Sequence, residues 1–356
     1  MPSPTPARLI PLSSDTESRP TQAMREAMSR AEVGDEQRGE DPTVNRLQDR
    51  VAALLGKEAA LWFPSGTMCN LVAVKVHTQP ADAIIAESMS HIIRAESGGA
   101  ALVSGVLVEP IVTTHGIFNA AQMLEALARL RTLPVPYGPS ARLVCVEQTH
   151  NFGGGSTWPL AELAAMSAAA KAEGLAVHMD GARLLNACVG SGVAAADFAR
   201  HVDSVWLDFT KGLGAPIGAV LAGSNSFIAA ARRYKHVFGG AMRQAGVAAA
   251  GCLHALDHHV ERLAEDHANA RFLADALATI PGIALRTPQP QTNIVFFGVN
   301  VAGLTNESFL AQLATRGVRM GQVRGGIRAV THIDVSRSDI ETAIAAITAI
   351  VAGQRN

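Results

Sequence analysis

Aromatic side chains are scarce in this chain. Its 2 tyrosines, 3 tryptophans and 11 phenylalanines make up 4% of 356 residues, too few for a surface on which nucleic-acid bases would stack. A surplus of charge is also missing: 30 Lys+Arg against 31 Asp+Glu leave a net −1, so no basic field points to a nucleic-acid partner. The four cysteines, Cys69, Cys145, Cys188 and Cys252, are widely scattered and form no CxxC pair. A disulfide framework is therefore not expected, and a reduced, cytoplasmic setting is. Hydrophobic residues reach 48%, yet no apolar run is long and uninterrupted enough to span a bilayer. The opening "MPSPTPARLIPLSSDTESRP" lacks the basic and apolar regions of a signal peptide.

What the chain does have is rhythm. "AALWFPSG" reads as a strand end and "TMCNLVAVKVH" as the helix after it; "DAIIAES", "ALVSGVLVEP", "ARLVCVEQTH" and "LAVHMDGARLLNA" read as strands or strands running into turns. "AAQMLEALARL" and "LAELAAMSAAAKAEG" have helical spacing. Strands separated by helices predict an α/β fold, a mostly parallel buried sheet flanked by helices. A long helical stretch is expected from Gln244 to Ile280, followed by strands in "NIVFFGV" and "GIRAVTHIDVS". That change of rhythm predicts a large domain over 1–250 and a smaller C-terminal α+β domain over 251–356. In open sheets of this kind ligands sit beyond the carboxyl ends of the strands. "SGT", "EQTHN", "DGAR" and "TKG" all fall at such ends, and their recurrence points to one shared site.

The most informative stretch is "DSVWLDFTKGLGAPIGAVLAGS", Asp203 to Ser224. Two apolar runs meet at a turn that carries a single lysine, Lys211. A lone lysine at a strand end is ordinarily a solvated surface residue. A dinucleotide-binding turn is excluded, because the glycines are spaced G-x-G-x-x-x-G and no acid follows Gly218 before Asp257. A third reading, beside the solvated one, is a lysine that holds an aldehyde cofactor as a Schiff base. Pyridoxal phosphate needs three further things. Asp180, ending "AVHMD", would face the pyridine nitrogen. Ser65, Gly66 and Thr67 open a helix after a strand and, with Thr210, would cradle the phosphate. His91 in "SHIIRAESGG" would lie over the ring and handle a proton.

At this combination the chain resembles the threonine aldolase family of pyridoxal-phosphate enzymes. The matching pieces include "SDT", "GEDPTVNRLQ", "GKEAALWFPSGTMCNLVAV", "HMDGARLLNA", "TKGLGAPIGAVLAGS", "GGAMRQAG" and "THIDVSR", in the family's order and spacing across nearly the whole length. The resemblance implies the type I aspartate-aminotransferase fold and reversible cleavage of L-β-hydroxy-α-amino acids to glycine and an aldehyde. It also implies roles at the matching positions. Lys211 would carry the cofactor and Asp180 would pair with its ring nitrogen. Arg183 would lie by the ring oxygen and the substrate carboxylate, which Arg328 would hold with Ser14 close by. Arg243, from a neighbouring subunit, would help to bind the phosphate. A homodimer or homotetramer with shared sites is implied, and its partners are small molecules, an amino acid and an aldehyde.

The chain departs from the family pattern in three places. Arg38 stands in "RGEDP" where a tyrosine is usual, Ser13 stands in place of an arginine before "SDT", and no histidine precedes His150 in the stretch leading to "THN". The base for the substrate hydroxyl is thereby left open among His91, a water and a neighbouring subunit, and the aldehyde is left open between acetaldehyde and an aromatic one. A β-eliminating lyase or aminotransferase on the same fold is the runner-up, and a silent scaffold is the rival from another class. His254 and His258, at i, i+4 in "CLHALDHHVERLAEDH", have metal-ligand spacing without an evident third ligand. A solvated helix face is expected there, and no catalytic metal.

Overall fold

The computed structural model describes residues 9–134, 136–287 and 289–354. The first eight residues of the stretch read for a signal peptide lie outside them. The strands of the first part are β1 (Ile10–Pro11), β2 (Ala59–Phe63), β3 (Ala83–Glu87), β4 (Leu107–Ile111), β5 (Ala141–Glu147), β6 (Ala176–Gly181), β7 (Ser204–Asp208) and β8 (Ala219–Gly223). Those of the second are β9 (Ile283–Leu285), β10 (Ile294–Val299), β11 (Val318–Arg319), β12 (Gly321–Val323) and β13 (Gly326–Val330).

Seven strands form one sheet in the order β2-β8-β7-β6-β5-β3-β4. Only β8 runs against the rest, returning antiparallel beside β7 after the turn that holds Lys211. β3, β7 and β8 are buried along their whole length, which is why these runs show no polar alternation: both faces are covered by helices. Alternate residues feed opposite sides. Trp62, Val144, Met179 and Leu207 join one core, while Phe63, Trp206 and Leu221 pack on Val72 and Ala73 in another. The expected parallel, helix-flanked sheet is what the chain builds, and among the described residues no helix is long and apolar enough to cross a membrane.

A separate core gathers Leu273, Leu277, Val295, Phe297, Phe309, Ile340 and Ile347 against a four-stranded antiparallel sheet in the order β12-β13-β10-β9. Ile10 and Leu12 belong to this core too, because β1 pairs in parallel with β11, Ile10 opposite Val318. The residues just after β1 then cross to the large sheet, where Ser18 Oγ donates to the Lys211 carbonyl at 2.7 Å.

Two local expectations need correction. The run "ALVSGVLVEP" is not one strand: Ala100–Ser104 forms a helical turn and only Leu107–Ile111 is extended. Gly105 divides them with φ +70°, the left-handed conformation that glycine tolerates. The stretch from Gln244 to Ile280 is likewise two helices, Gly246–His258 and Leu263–Ala278. Ala249, Cys252 and Leu253 of the first pack in the large core, while Ala270, Leu273 and Leu277 of the second pack in the small one. The break lies where the chain passes between cores, and His259 there turns its Nδ1 to the Leu213 carbonyl at 2.7 Å.

Candidate active site

The carboxyl ends of the parallel strands carry a row of acids. β3 ends at Glu87, β5 at Glu147 and β7 at Asp208, and Asp180 is the penultimate residue of β6. Glu147 stands opposite Asp180 in the ladder. Four carboxylates side by side at the sheet edge require partners, and each has them. His150 Nε2 lies 3.2 Å from Glu87 and 3.8 Å from Glu147. Glu147 also accepts the backbone N–H of His91 and of Asn151, both at 2.8 Å, which pins the short helix that presents His91. Asp180 accepts from Asn70 Nδ2 at 2.8 Å and from the Ala182 N–H at 3.1 Å. Asp208 accepts from Lys211 Nζ at 2.6 Å.

Ser14, His91, Asp180, Arg183, Lys211 and Arg328 line one cavity of about 340 Å³. Trp206 forms part of its wall, and Lys211 Nζ stands 5.7 Å from the Trp206 ring centre. A larger cavity of about 580 Å³, by Trp158, Arg271 and Asp275, brings together none of these six. Volume alone does not locate the chemistry, whereas the strand ends do.

Electrostatics follows from the packing. Burial and the neighbouring Glu147 charge raise the Asp180 carboxyl, against the pull of His91, Lys211 and Asn70. Burial would lower His91, but its Nδ1 bond to Glu96 at 2.8 Å and the charges of Asp180 and Glu147 hold it above its ordinary value. Arg183 is buried and grips Asp15 with two bonds, Nε and Nη2 each at 2.7 Å. Burial works to raise Asp15, yet the charge and hydrogen bonds of Arg183, aided by Lys211 and Asn293, hold it well below the usual carboxylate range. Arg328 donates Nη1 to Asn151 Oδ1 and Nη2 to the Ser13 carbonyl, both at 2.9 Å. Its Nε is buried without a partner.

The remaining residues singled out in the sequence do not line this cavity. Ser65 caps the helix Gly66–His77, accepting from the Met68 N–H at 3.4 Å, and Gly66 and Thr67 form its first turn. A Cβ at Gly66 would come within 2.2 Å of Trp206 Cη2, so glycine is what lets the helix start approach that wall. Thr210 Oγ1 donates to Asp208 Oδ1 at 2.8 Å. Arg243 is 61% exposed and pairs with Asp35 at 2.9 Å. His254 and His258 lie with ring centres 4.5 Å apart and planes tilted by 48°.

Sequence reasoning passed over Asp15, Asn70, Glu96, Glu147 and Asp208. For Glu147 and Asp208 a signal was present: the strands "AIIAE", "ARLVCVE" and "SVWLD" all end in an acid. Pyridoxal phosphate fits this donor set. An amine and a buried carboxylate open on one cavity, whose volume lies in the small-ligand range. Arg328 offers a spare buried N–H, and Gly66 opens a helix N-terminus, a natural phosphate seat.

A family model described as beta-eliminating lyase matches residues 11–300. Low-specificity L-threonine aldolase 1 of Arabidopsis thaliana is 38% identical over 339 residues, covering 94% of each chain. The low specificity L-threonine aldolase of Escherichia coli K12 is 36% identical over 332 residues, covering 93% of this chain and 96% of the relative. A solved threonine aldolase from Leishmania major superposes with a TM-score of 0.82 at 23% identity, covering 96% of this chain and 99% of the other.

Proposed function

This chain belongs to the beta-eliminating lyase family, among the low-specificity L-threonine aldolases, and on that footing we propose what its site does. It is a pyridoxal-phosphate-dependent aldehyde-lyase. Its substrates are L-β-hydroxy-α-amino acids of the threonine type, cleaved reversibly to glycine and an aldehyde. The observation that carries this reading is the convergence of Lys211, Asp180, Arg183 and Arg328 on one cavity.

Lys211 is the amine that would hold the cofactor, and Asp180 the carboxylate that would face its ring nitrogen. Ser65, Gly66, Thr67 and Thr210 would hold its phosphate. When bound, pyridoxal phosphate supplies an electron sink for the pair released as the Cα–Cβ bond breaks. The protein's own groups do the rest. Arg328 is braced by Asn151 and the Ser13 carbonyl, and its guanidinium on the cavity wall would hold a substrate carboxylate with a charge-assisted bond. Ser14 and Arg183 line the same cavity, and Asp15 keeps Arg183 from swinging. A carboxylate so held fixes which Cα bond lies in line for cleavage.

His91 takes the β-hydroxyl proton. Its Nδ1 is engaged by Glu96, which leaves Nε2 as the proton acceptor, and a raised pKa makes it a better base near neutrality. The same ring lines the cavity with Lys211 and Asp180 and would lie over the bound cofactor. Arg243 completes the phosphate site of a partner subunit, so the working form is a homodimer or homotetramer. Its 61% exposure and its absence from this chain's cavity support that role.

The test is product analysis. Protein incubated with pyridoxal phosphate and L-threonine, without any keto acid, should release acetaldehyde and glycine in equal amounts, and Lys211→Ala should release neither. Ammonia release would favour an eliminating lyase, and dependence on a keto acid an aminotransferase. A panel extended to L-phenylserine ranks the aldehydes.

A further inference from the structure

Behind Asp180 lies a buried polar array that the reaction above does not use. Its centre is Asn70, on the second turn of the helix Gly66–His77 and 1% exposed. Four groups meet its amide. Trp206 Nε1 approaches Oδ1 at 2.7 Å and His178 Nε2 at 3.1 Å. On the other side Nδ2 reaches Asp180 Oδ2 at 2.8 Å and Glu96 Oε1 at 2.6 Å.

The orientation of an asparagine amide is commonly an assignment from its hydrogen bonds, and here the neighbours dictate it. An indole nitrogen can only donate, so the atom facing Trp206 is the oxygen. Two carboxylates stand opposite, and they require the NH2. Every following proton is then determined. His178 must donate from Nε2, which leaves Nδ1 to accept from Ser204 Oγ at 2.8 Å. Ser204 Oγ in turn takes the N–H of His77 Nε2 at 2.8 Å. His178 must be neutral for this, and its complete burial pushes its pKa down to about 3. All four hydrogen-bonding capacities of Asn70 are spent.

One amide therefore serves two groups at once. It holds the carboxylate of Asp180, and it holds Glu96, whose same Oε1 takes His91 Nδ1 at 2.8 Å. His91, Glu96 and Asp180 bring ligand-type atoms within 4.8 Å of one another, a spacing that would suit a metal ion. The Asn70 NH2 already sits between the two carboxylates and neutralises their repulsion with a hydrogen each. An amide does not hand on a proton as an imidazole or a hydroxyl does, so the array from His77 to Asp180 orients and polarises. It is not a proton conduit.

We propose that Asn70 is a positioning residue of the active site, fixing the ring-facing carboxylate of Asp180 and the Glu96–His91 pair through one amide. The proposal rests on the aldolase reading, since it assigns Asp180 and His91 the roles given there. Asn70→Asp is the sharpest perturbation: it is isosteric, and it turns the two donated bonds into contacts between like charges. Asn70→Ala removes the bonds without adding charge.

The first readout is the affinity of the apoenzyme for pyridoxal phosphate, by titration of its visible absorbance. Asn70→Asp should weaken it at least about tenfold and Asn70→Ala by less, and the absorption maximum of the bound cofactor should shift in both. With cofactor saturating, kcat for L-threonine should fall while KM moves little, because Arg328 still holds the substrate carboxylate. The second readout needs no variant. ¹⁵N-labelled histidine in the wild-type protein should show His178 neutral with its proton on Nε2 at pH 7, and a proton on Nδ1 would overturn the assignment. Folded variants with wild-type cofactor affinity and an unchanged absorption maximum would overturn the positioning role. Wild-type protein that failed to bind pyridoxal phosphate at all would instead overturn the aldolase reading, so the two failures are distinguishable.

Discussion

Replacing Asp15 by asparagine should cost this protein about 3–5 kcal/mol of stability, the range for removing one partner of a buried ion pair. Asp15 is fully buried and receives Arg183 Nε and Nη2 at 2.7 Å each and Asn293 Nδ2 at 3.1 Å. An amide of the same shape offers one oxygen to the guanidinium fork and turns an NH2 against the other N–H. Arg183, 5% exposed, then keeps its charge without the carboxylate that grips it, with only Glu147 and Asp208 left to offset it. Against a typical total of about 5–15 kcal/mol, such a loss is a large fraction. Urea unfolding of wild type and D15N at pH 7 measures it. The pH dependence gives a second handle. The folded pKa of Asp15 is depressed, so below the unfolded value of about 3.9 the unfolded chain binds the extra proton. The advantage of wild type over D15N should be full at pH 7 and narrow as the pH falls below about 4. Replacing both partners with apolar residues, D15L with R183M, should cost less stability than D15N alone. A D15N loss under about 1 kcal/mol, well short of that range, or one independent of pH down to 3, would refute this account of the pair.

Gly66→Ala would place a Cβ 2.2 Å from a Trp206 ring held by its bond to Asn70. Overpacking of about 1–3 kcal/mol should appear as a lower Tm, with weaker pyridoxal-phosphate binding as the helix start is pushed away. His178 is buried and His77 partly buried, with pKa values of about 3 and about 4. Between pH 6.5 and those values the unfolded chain binds protons that the folded rings refuse, so stability should fall on acidification. The slope is about 1.4 kcal/mol per pH unit and ring, and urea midpoints of His178→Gln should fall less steeply than those of wild type across that window. Arg328→Lys removes a planar fork braced by Asn151 and the Ser13 carbonyl. KM for L-threonine should rise about 10- to 100-fold, as expected for a lost charge-assisted bond, with cofactor affinity unchanged. Steady-state kinetics and a cofactor titration check both.

The sheet was legible because fully buried strands read as unbroken apolar runs and their connecting helices as periodic ones. The site was legible in part for the same reason, since "DGAR" and "TKG" mark strand ends in any such sheet. Arg183 and Arg328 could be assigned only through the family resemblance, as their local sequences carry no pattern of their own. Asn70 lay hidden in "MCNLVAV" as one polar residue in a helix, because its partners lie 26, 108, 110 and 136 residues away. Asp15 lay hidden likewise, its guanidinium partner being 168 residues downstream. The two misread segments share another cause: where an apolar run turns from one packing partner to another, periodicity continues through the change, and only a left-handed glycine or a switch of core reveals it.

The strand Ile10–Pro11 also bears on how the protein is made. It leaves the ribosome well before its ladder partner, which begins at Val318. The residues that follow it, Ser14 on the cavity wall and Asp15 against Arg183, gain their full seat only once that late strand exists. A nascent chain can therefore build its large sheet, and even present Lys211, long before it owns a finished site. Synthesis itself acts as a timer: a product ended before Val318 would carry Lys211 without the strand pairing that seats Ser14 and Asp15.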